Sequence, residues 1–155
     1  MRRVVITGIG VVSAIGNDVA QFWQSVQNGR SGIGPITKID TANVRFKNAA
    51  EVRGFDAAEH FEDRTIPWLD PFSQFGIVAA REAITDSGIE FDDALREDTG
   101  VVTGSCLGGK ESEDKLFSDL YDAKKTRFPP TAIPAAMANA VASHVAIEFG
   151  LTGPT

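Results

Sequence analysis

The sequence holds little of what disulfide-linked, metal-bound or nucleic-acid-binding proteins depend on. Of 155 residues one is cysteine, Cys106, and two are histidine, His60 and His144. A single cysteine excludes an intrachain disulfide and fits a reducing, cytoplasmic setting. Neither histidine has a second His at metal-site spacing, so no metal ligand set is expected. The scattered carboxylates read as solvated and suggest no acid/base pair. Basic residues are outnumbered, 15 Lys and Arg against 21 Asp and Glu, for a net charge of −6. Binding to nucleic acid, which rests on basic patches and counterion release, is not expected.

Long uninterrupted apolar runs are missing too. The opening Met1 to Ile6 begins basic and turns apolar, as a signal peptide does, but Thr7, Gly8 and Gly10 break the run and no small-residue cleavage site follows. Residues 133–151 are long enough for a membrane span. Asn139, His144 and Glu148 among abundant alanine point instead to one helix packed inside a soluble fold, so no membrane contact is expected. There is no internal repeat and no low-complexity tract.

What is present is an ordinary globular composition, 43% hydrophobic and 23% charged. A chain of this length can bury about 70% of its unfolded surface, enough for one core. Arg3 to Thr7 and Thr99 to Gly104 read as short buried strands. A helix starts after Asn17 as N-cap, presents Val19, Phe22, Trp23 and Val26 on one face, and stops at Gly29. Residues 30–56 mix glycine, proline and short apolar pieces, as loops with a hairpin do. Asp70, Pro71 and Gly88 bracket a stronger helix with Phe72, Phe75, Ala79, Ala83 and Ile84 along one stripe. Glu111 to Lys125 is a charged, exposed helix. Strands alternating with helices make the fold class α/β.

Two glycine-rich turns invite a nucleotide. Gly8-Ile9-Gly10 follows a strand, but a dinucleotide fingerprint needs glycine where Ser13 stands, and its short-chain dehydrogenase variant needs glycine where Val12 stands. Asp40 lies beyond the roughly 20-residue spacing of a ribose-binding acid. A tight strand-to-helix turn fits better, and no cofactor is expected. The second turn, Gly104 to Gly109, ends in Lys110-Glu111 and lacks the hydroxyl of a phosphate loop. Its Cys106 has a nucleophile's setting near a helix N-terminus, although a small buried packing residue is the favoured reading. His144 reads as a hydrogen-bonded interior or interface residue, and His60 as structural.

Taken in order, several stretches resemble the β-ketoacyl-(acyl-carrier-protein) synthases of the elongating type. They are residues 3–10 with Ser13, Gly16 and Asn17, then Phe22-Trp23, and Gly29-Arg30-Ser31-Gly32-Ile33. Asp70 to Phe75, Ala80 to Ala83, the Gly104 to Gly109 loop and Asn139 to Pro154 continue the likeness to the end of the chain. The resemblance implies a thiolase-like fold, five αβαβα layers in the complete dimer, with this chain covering most of the N-terminal half. It also implies decarboxylative condensation of an acyl thioester with a malonyl thioester, using a cysteine thiolate, two histidines and amide donors to the thioester oxyanion. The implied partners are an acyl carrier protein and a second subunit, in a homodimer or a ketosynthase-like heterodimer.

In that family the nucleophile lies on the strand after the Gly-Leu-x-Gly-Pro stretch, so residues 1–155 are expected to stop short of it. No residue here, Cys106, His60 and His144 included, takes a catalytic role. Substrate contact is expected from Leu107, a bulky aliphatic at the acyl-pocket gate, and from Cys106, which replaces the usual glycine and stiffens the loop. Ala132, Ile133 and Met137 complete the expected substrate-binding set. Thr131 and Ala132 stand where relatives often carry aromatics, implying a roomier pocket. Before the helix at 70, where relatives carry several basic residues for the carrier, only Arg64 is basic. A non-catalytic chain-length factor is the rival reading.

Overall fold

The computed structural model describes residues 3–155. Six α-helices account for most of the regular structure: α1 Val19–Gln27, α2 Pro71–Ser87, α3 Asp93–Asp98, α4 Lys110–Tyr121, α5 Ala132–Ala136 and α6 Ala140–Phe149. Two short strands, β1 Gly34–Pro35 and β2 Asn48–Ala49, form the expected hairpin, pairing antiparallel with Gly34 opposite Ala49. The Glu51 carboxylate clasps its base, accepting from the Thr37 hydroxyl (2.7 Å), the Thr37 N–H and the Lys38 N–H. Those bonds, the Thr37 hydroxyl foremost, hold Glu51 below the ordinary carboxylate pKa.

Local signals set the helix ends. Asp70 caps α2 through Phe72 N–H, Pro71 fills the first helical position, and Gly88 closes the helix at φ 63°. Gly150 ends α6 in the same left-handed way. At α1 the cap is Asp18 rather than Asn17, because the Asp18 carboxylate takes Gln21 N–H at 2.7 Å. Asn17 instead donates to the Arg53 carbonyl.

The core lies between α2 and α6, where Ile77 and Val145 join Phe61 and Leu69. The fully buried side of α2 is Ser73, Gln74 and Ile77, while the expected Phe72–Ile84 stripe is only half-buried. On α1 the buried residue is Ser25, whose hydroxyl donates to the Ile15 carbonyl, and Trp23 and Val26 stay exposed.

Three expectations are corrected here. Residues 3–7 and 99–104 are not buried strands: no ladder forms along them, and Val4 (92%), Ile6 (88%) and Val102 (96%) face solvent. A strand needs a neighbour to take its N–H and C=O groups, and the described residues provide few. Val101 N–H does reach the Pro154 carbonyl (2.9 Å), and Thr152 N–H reaches the Arg96 carbonyl, so the last residues run beside 96–101. The alanine-rich stretch is not one helix either. Met137, with ψ 135°, separates α5 from α6. The Ala136 carbonyl, freed at that break, accepts from Gly109 N–H instead. Finally, α4 stops at Tyr121, four residues before the expected end. Among the described residues no helix is long and apolar enough to cross a membrane.

Candidate functional site

The Gly8–Gly10 turn is a packing device. A Cβ on Gly10 would lie 1.9 Å from the Ala79 carbonyl oxygen of α2, and one on Gly8 would lie 2.0 Å from that of Ala83. Only glycine lets the two backbones approach this closely. The edge is then pinned by carboxylates. Glu82 accepts from Val11 N–H (2.9 Å) and Val19 N–H (2.8 Å), and Asp86 accepts from Ile9 N–H. Glu82 is therefore half-buried and engaged, not on a solvated face.

The second glycine turn carries two of the expected substrate residues. Ser105 Oγ accepts from Gly108 N–H at 2.9 Å, which closes the loop. Gly108, at φ 64°, and Gly109 press against the α5–α6 junction: Cβ atoms there would lie 2.9 Å from the Ala136 oxygen and 2.3 Å from the Ala135 oxygen. Cys106 and Leu107 form the exposed tip of this anchored loop. The buried-packing reading of Cys106 is thus overturned, since the loop base, not its tip, is what docks. Met137 lies in the docked junction and is partly exposed, while Ile133 projects outward at 72% exposure.

Ala132 belongs to a different surface. With Thr131 and Ala135 it walls a pocket of about 430 Å³ that opens between α2, α4 and α5. Leu69, Pro71 and Gln74 line the opposite side, with Leu116 from α4 and Lys115 and Glu111 among its polar groups. Thr131 and Ala132 give this wall small side chains. The structure therefore puts Ala132 in a pocket and Cys106, Leu107, Ile133 and Met137 outside its lining, joined to it through Ala135 and the loop base.

Asp70 had no place among the expected site residues. It is 3% exposed; one oxygen caps α2, and the other accepts from Ser112 N–H of α4 at 2.7 Å. Nothing in the sequence pairs residues 42 positions apart, so this second bond was not readable there. The lone cation expected before α2, Arg64, is paired with Glu62 at 2.6 Å. Its neighbour Trp68 is partly exposed.

Neither histidine lines the pocket beside Ala132. His60 stacks on Phe55 with ring centroids 4.9 Å apart, and its carbonyl accepts from Arg81. His144 is half-buried and, among the described residues, makes no side-chain hydrogen bond, contrary to the expectation. Burial pushes its pKa down, and the nearby Glu148 offsets this in part. Glu148 itself grips Arg81 through two bonds of 2.5 and 2.9 Å. Among the described residues no three His, Cys, Asp or Glu side chains gather as a metal site would require.

Comparison with known proteins places this arrangement. The chain is 40% identical over 153 residues to 3-oxoacyl-[acyl-carrier-protein] synthase 2 of Coxiella burnetii, covering 99% of this chain and 37% of that protein. The protein of the same name from Staphylococcus aureus strain N315 is 36% identical, with the same coverage. Among solved structures, the ishigamide ketosynthase/chain length factor superposes with a TM-score of 0.84 at 26% identity, covering 99% of this chain and 39% of that one. A β-ketoacyl synthase from Burkholderia phymatum STM815 gives 0.80 at 24%, over 99% and 38%. The fold is therefore that of the ketosynthases, thiolase-like and α/β, and the chain spans about 37% of the length of the relatives it matches. Residues 1–155 match the β-ketoacyl synthase N-terminal domain from end to end, and the chain belongs to that family.

Proposed function

We propose that these residues are the N-terminal part of a β-ketoacyl-(acyl-carrier-protein) synthase which, at the full length of its relatives, performs decarboxylative Claisen condensation in fatty-acid or polyketide synthesis. The observation that carries the reading is the 40% and 36% identity, over 99% of the chain, to 3-oxoacyl-[acyl-carrier-protein] synthases. A cysteine thiolate beyond residue 155 attacks the acyl thioester, and the carrier thiol leaves. The malonyl thioester then loses carbon dioxide, its enolate carbon attacks the cysteine-bound acyl group, and the thiolate is released. This chain contributes no catalytic residue. It contributes the Leu107 gate, with Cys106 beside it, and the Thr131–Ala132 wall, with Ile133 and Met137 on the adjoining surface.

The partners are an acyl carrier protein, malonyl and acyl thioesters, and a second ketosynthase subunit; the setting is cytoplasmic. Carrier docking near α2 rests little on charge, since Arg64 is already paired with Glu62. The exposed Ile133 and Met137 suit a subunit interface. A second reading, a non-catalytic chain-length factor acting in a heterodimer, is supported by the likeness to a ketosynthase/chain length factor structure.

Acyl-chain profiling of the full-length protein tests the pocket. With Ala132 the protein extends long or branched acyl groups, and Ala132→Phe refills the wall and shifts preference to shorter chains by roughly ten- to a hundredfold in kcat/KM ratio, the effect of one or two buried methylenes. An unchanged chain-length preference overturns the role of Ala132. Condensation that appears only when a second ketosynthase subunit is added favours the chain-length factor.

A further inference from the structure

The buried Asp70 is bonded to more than the helix it begins. Its Oδ1 accepts from Phe72 N–H at 3.1 Å, which is the ordinary N-cap of α2. Its Oδ2 accepts from Ser112 N–H at 2.7 Å, in the first turn of α4. The residue in the cap position of α4 is Gly109, which has no side chain to offer, so Asp70 caps that helix from a distance. One carboxylate thereby holds two helix N-termini, each of which favours an anion.

The place of this bond in the chain is what gives it consequence. Gly109 lies two residues after Leu107, and a Cβ on Gly109 would sit 3.0 Å from Asp70 Cβ. The same glycine is held from the other side by its N–H to the Ala136 carbonyl, at 3.1 Å. The base of the Leu107 loop is thus clamped between Asp70 and the α5–α6 junction, while its tip is free. Without the Ser112 bond, the first turn of α4 would lose its acceptor and the loop would lose one of its two anchors.

We infer that Asp70 is a positioning residue for acyl-chain selection: its second oxygen fixes the start of α4 and so sets where Leu107 stands. The inference rests on the reading of Leu107 as the gate. Asp70 touches no substrate and acts only through Gly109 and Ser112.

The test uses the full-length protein and a series of acyl thioesters of increasing length. Asp70→Asn keeps an amide oxygen for one helix and turns an NH₂ toward the other, so only one of the two caps survives. Ser112→Pro deletes the donor on α4 while leaving Asp70 intact, in the first turn, where the N–H has no partner within the helix. Leu107→Ala removes the gate itself. Both anchor variants are expected to move the long-to-short kcat/KM ratio in the same direction as Leu107→Ala, by roughly two- to tenfold, the worth of one hydrogen bond. Neither adds a further shift in the Leu107→Ala background. A lower melting temperature with an unchanged ratio makes Asp70 a structural cap and overturns the inference, while a shift with Leu107→Ala keeps the gate reading. If Leu107→Ala leaves the ratio unchanged, the gate reading itself fails. Should Asp70→Asn not fold, Ser112→Pro alone decides, with the same two outcomes.

Discussion

Carboxylates join distant backbone segments in this chain. Asp70 links α2 to α4, Glu82 links residue 11 to the start of α1, and Glu148 ties α6 to Arg81 on α2. Each accepts at least two bonds, so replacing one leaves buried or half-buried donors unmatched, at a cost of about 1–3 kcal/mol per orphan. His144 sits in the same α2–α6 neighbourhood and imposes a pH dependence. Its pKa in the folded chain lies below the ordinary value of 6.5, mainly through burial. As pH falls through 6.5 the unfolded chain takes up the proton first, so stability is lost, and the loss levels off once pH passes below the folded-state pKa. Above about pH 7.5 both states are neutral and the residue contributes no slope. Urea unfolding at about pH 7.5 and about pH 5.5 checks this: the fall in stability on acidification should be smaller in His144→Gln than in the unsubstituted protein. Equal falls in the two proteins would contradict it.

The elements are held by close approaches that tolerate no side chain. Gly10→Ala places a methyl 1.9 Å from the Ala79 carbonyl, an obstacle of backbone that cannot swing aside. The expected destabilisation is about 3 kcal/mol, the upper end of overpacking, with the Val11 and Val19 bonds to Glu82 loosened together. Denaturant titration of the variant measures it, and a loss below about 0.5 kcal/mol, the range of surface changes, would contradict the packing account. The ends of α2 were legible in the sequence because Asp70, Pro71 and Gly88 act within a turn of themselves. So were the hairpin and the glycine that closes α6. The break at Met137 was not, since an alanine-rich stretch favours unbroken helix and the group that accommodates the break is the N–H of Gly109, far earlier in the chain. The site divides in the same way. The turn at Gly104–Gly109 was legible from its glycines, whereas its docking on the α5–α6 junction, the second bond of Asp70 and the pocket beside Ala132 depend on contacts between α2, α4 and α5.

At the scale of the whole molecule, the apolar residues 4–6 and Val102 lie open, which is the opposite of what their β-branched composition calls for. The chain covers 37% of its relatives' length, and in the proposed function the remaining length supplies both the sheet neighbours and the nucleophile. The two proposed readings, condensing enzyme and chain-length factor, differ in whether the full-length protein carries an acyl group on a cysteine of its own. The most direct measurement is the intact mass of the full-length protein after incubation with an acyl-carrier thioester and no malonyl donor. The account predicts one covalent acyl group per subunit, removed by hydroxylamine as a thioester is. A protein that takes up no acyl group, yet binds a second ketosynthase subunit that does, would contradict it.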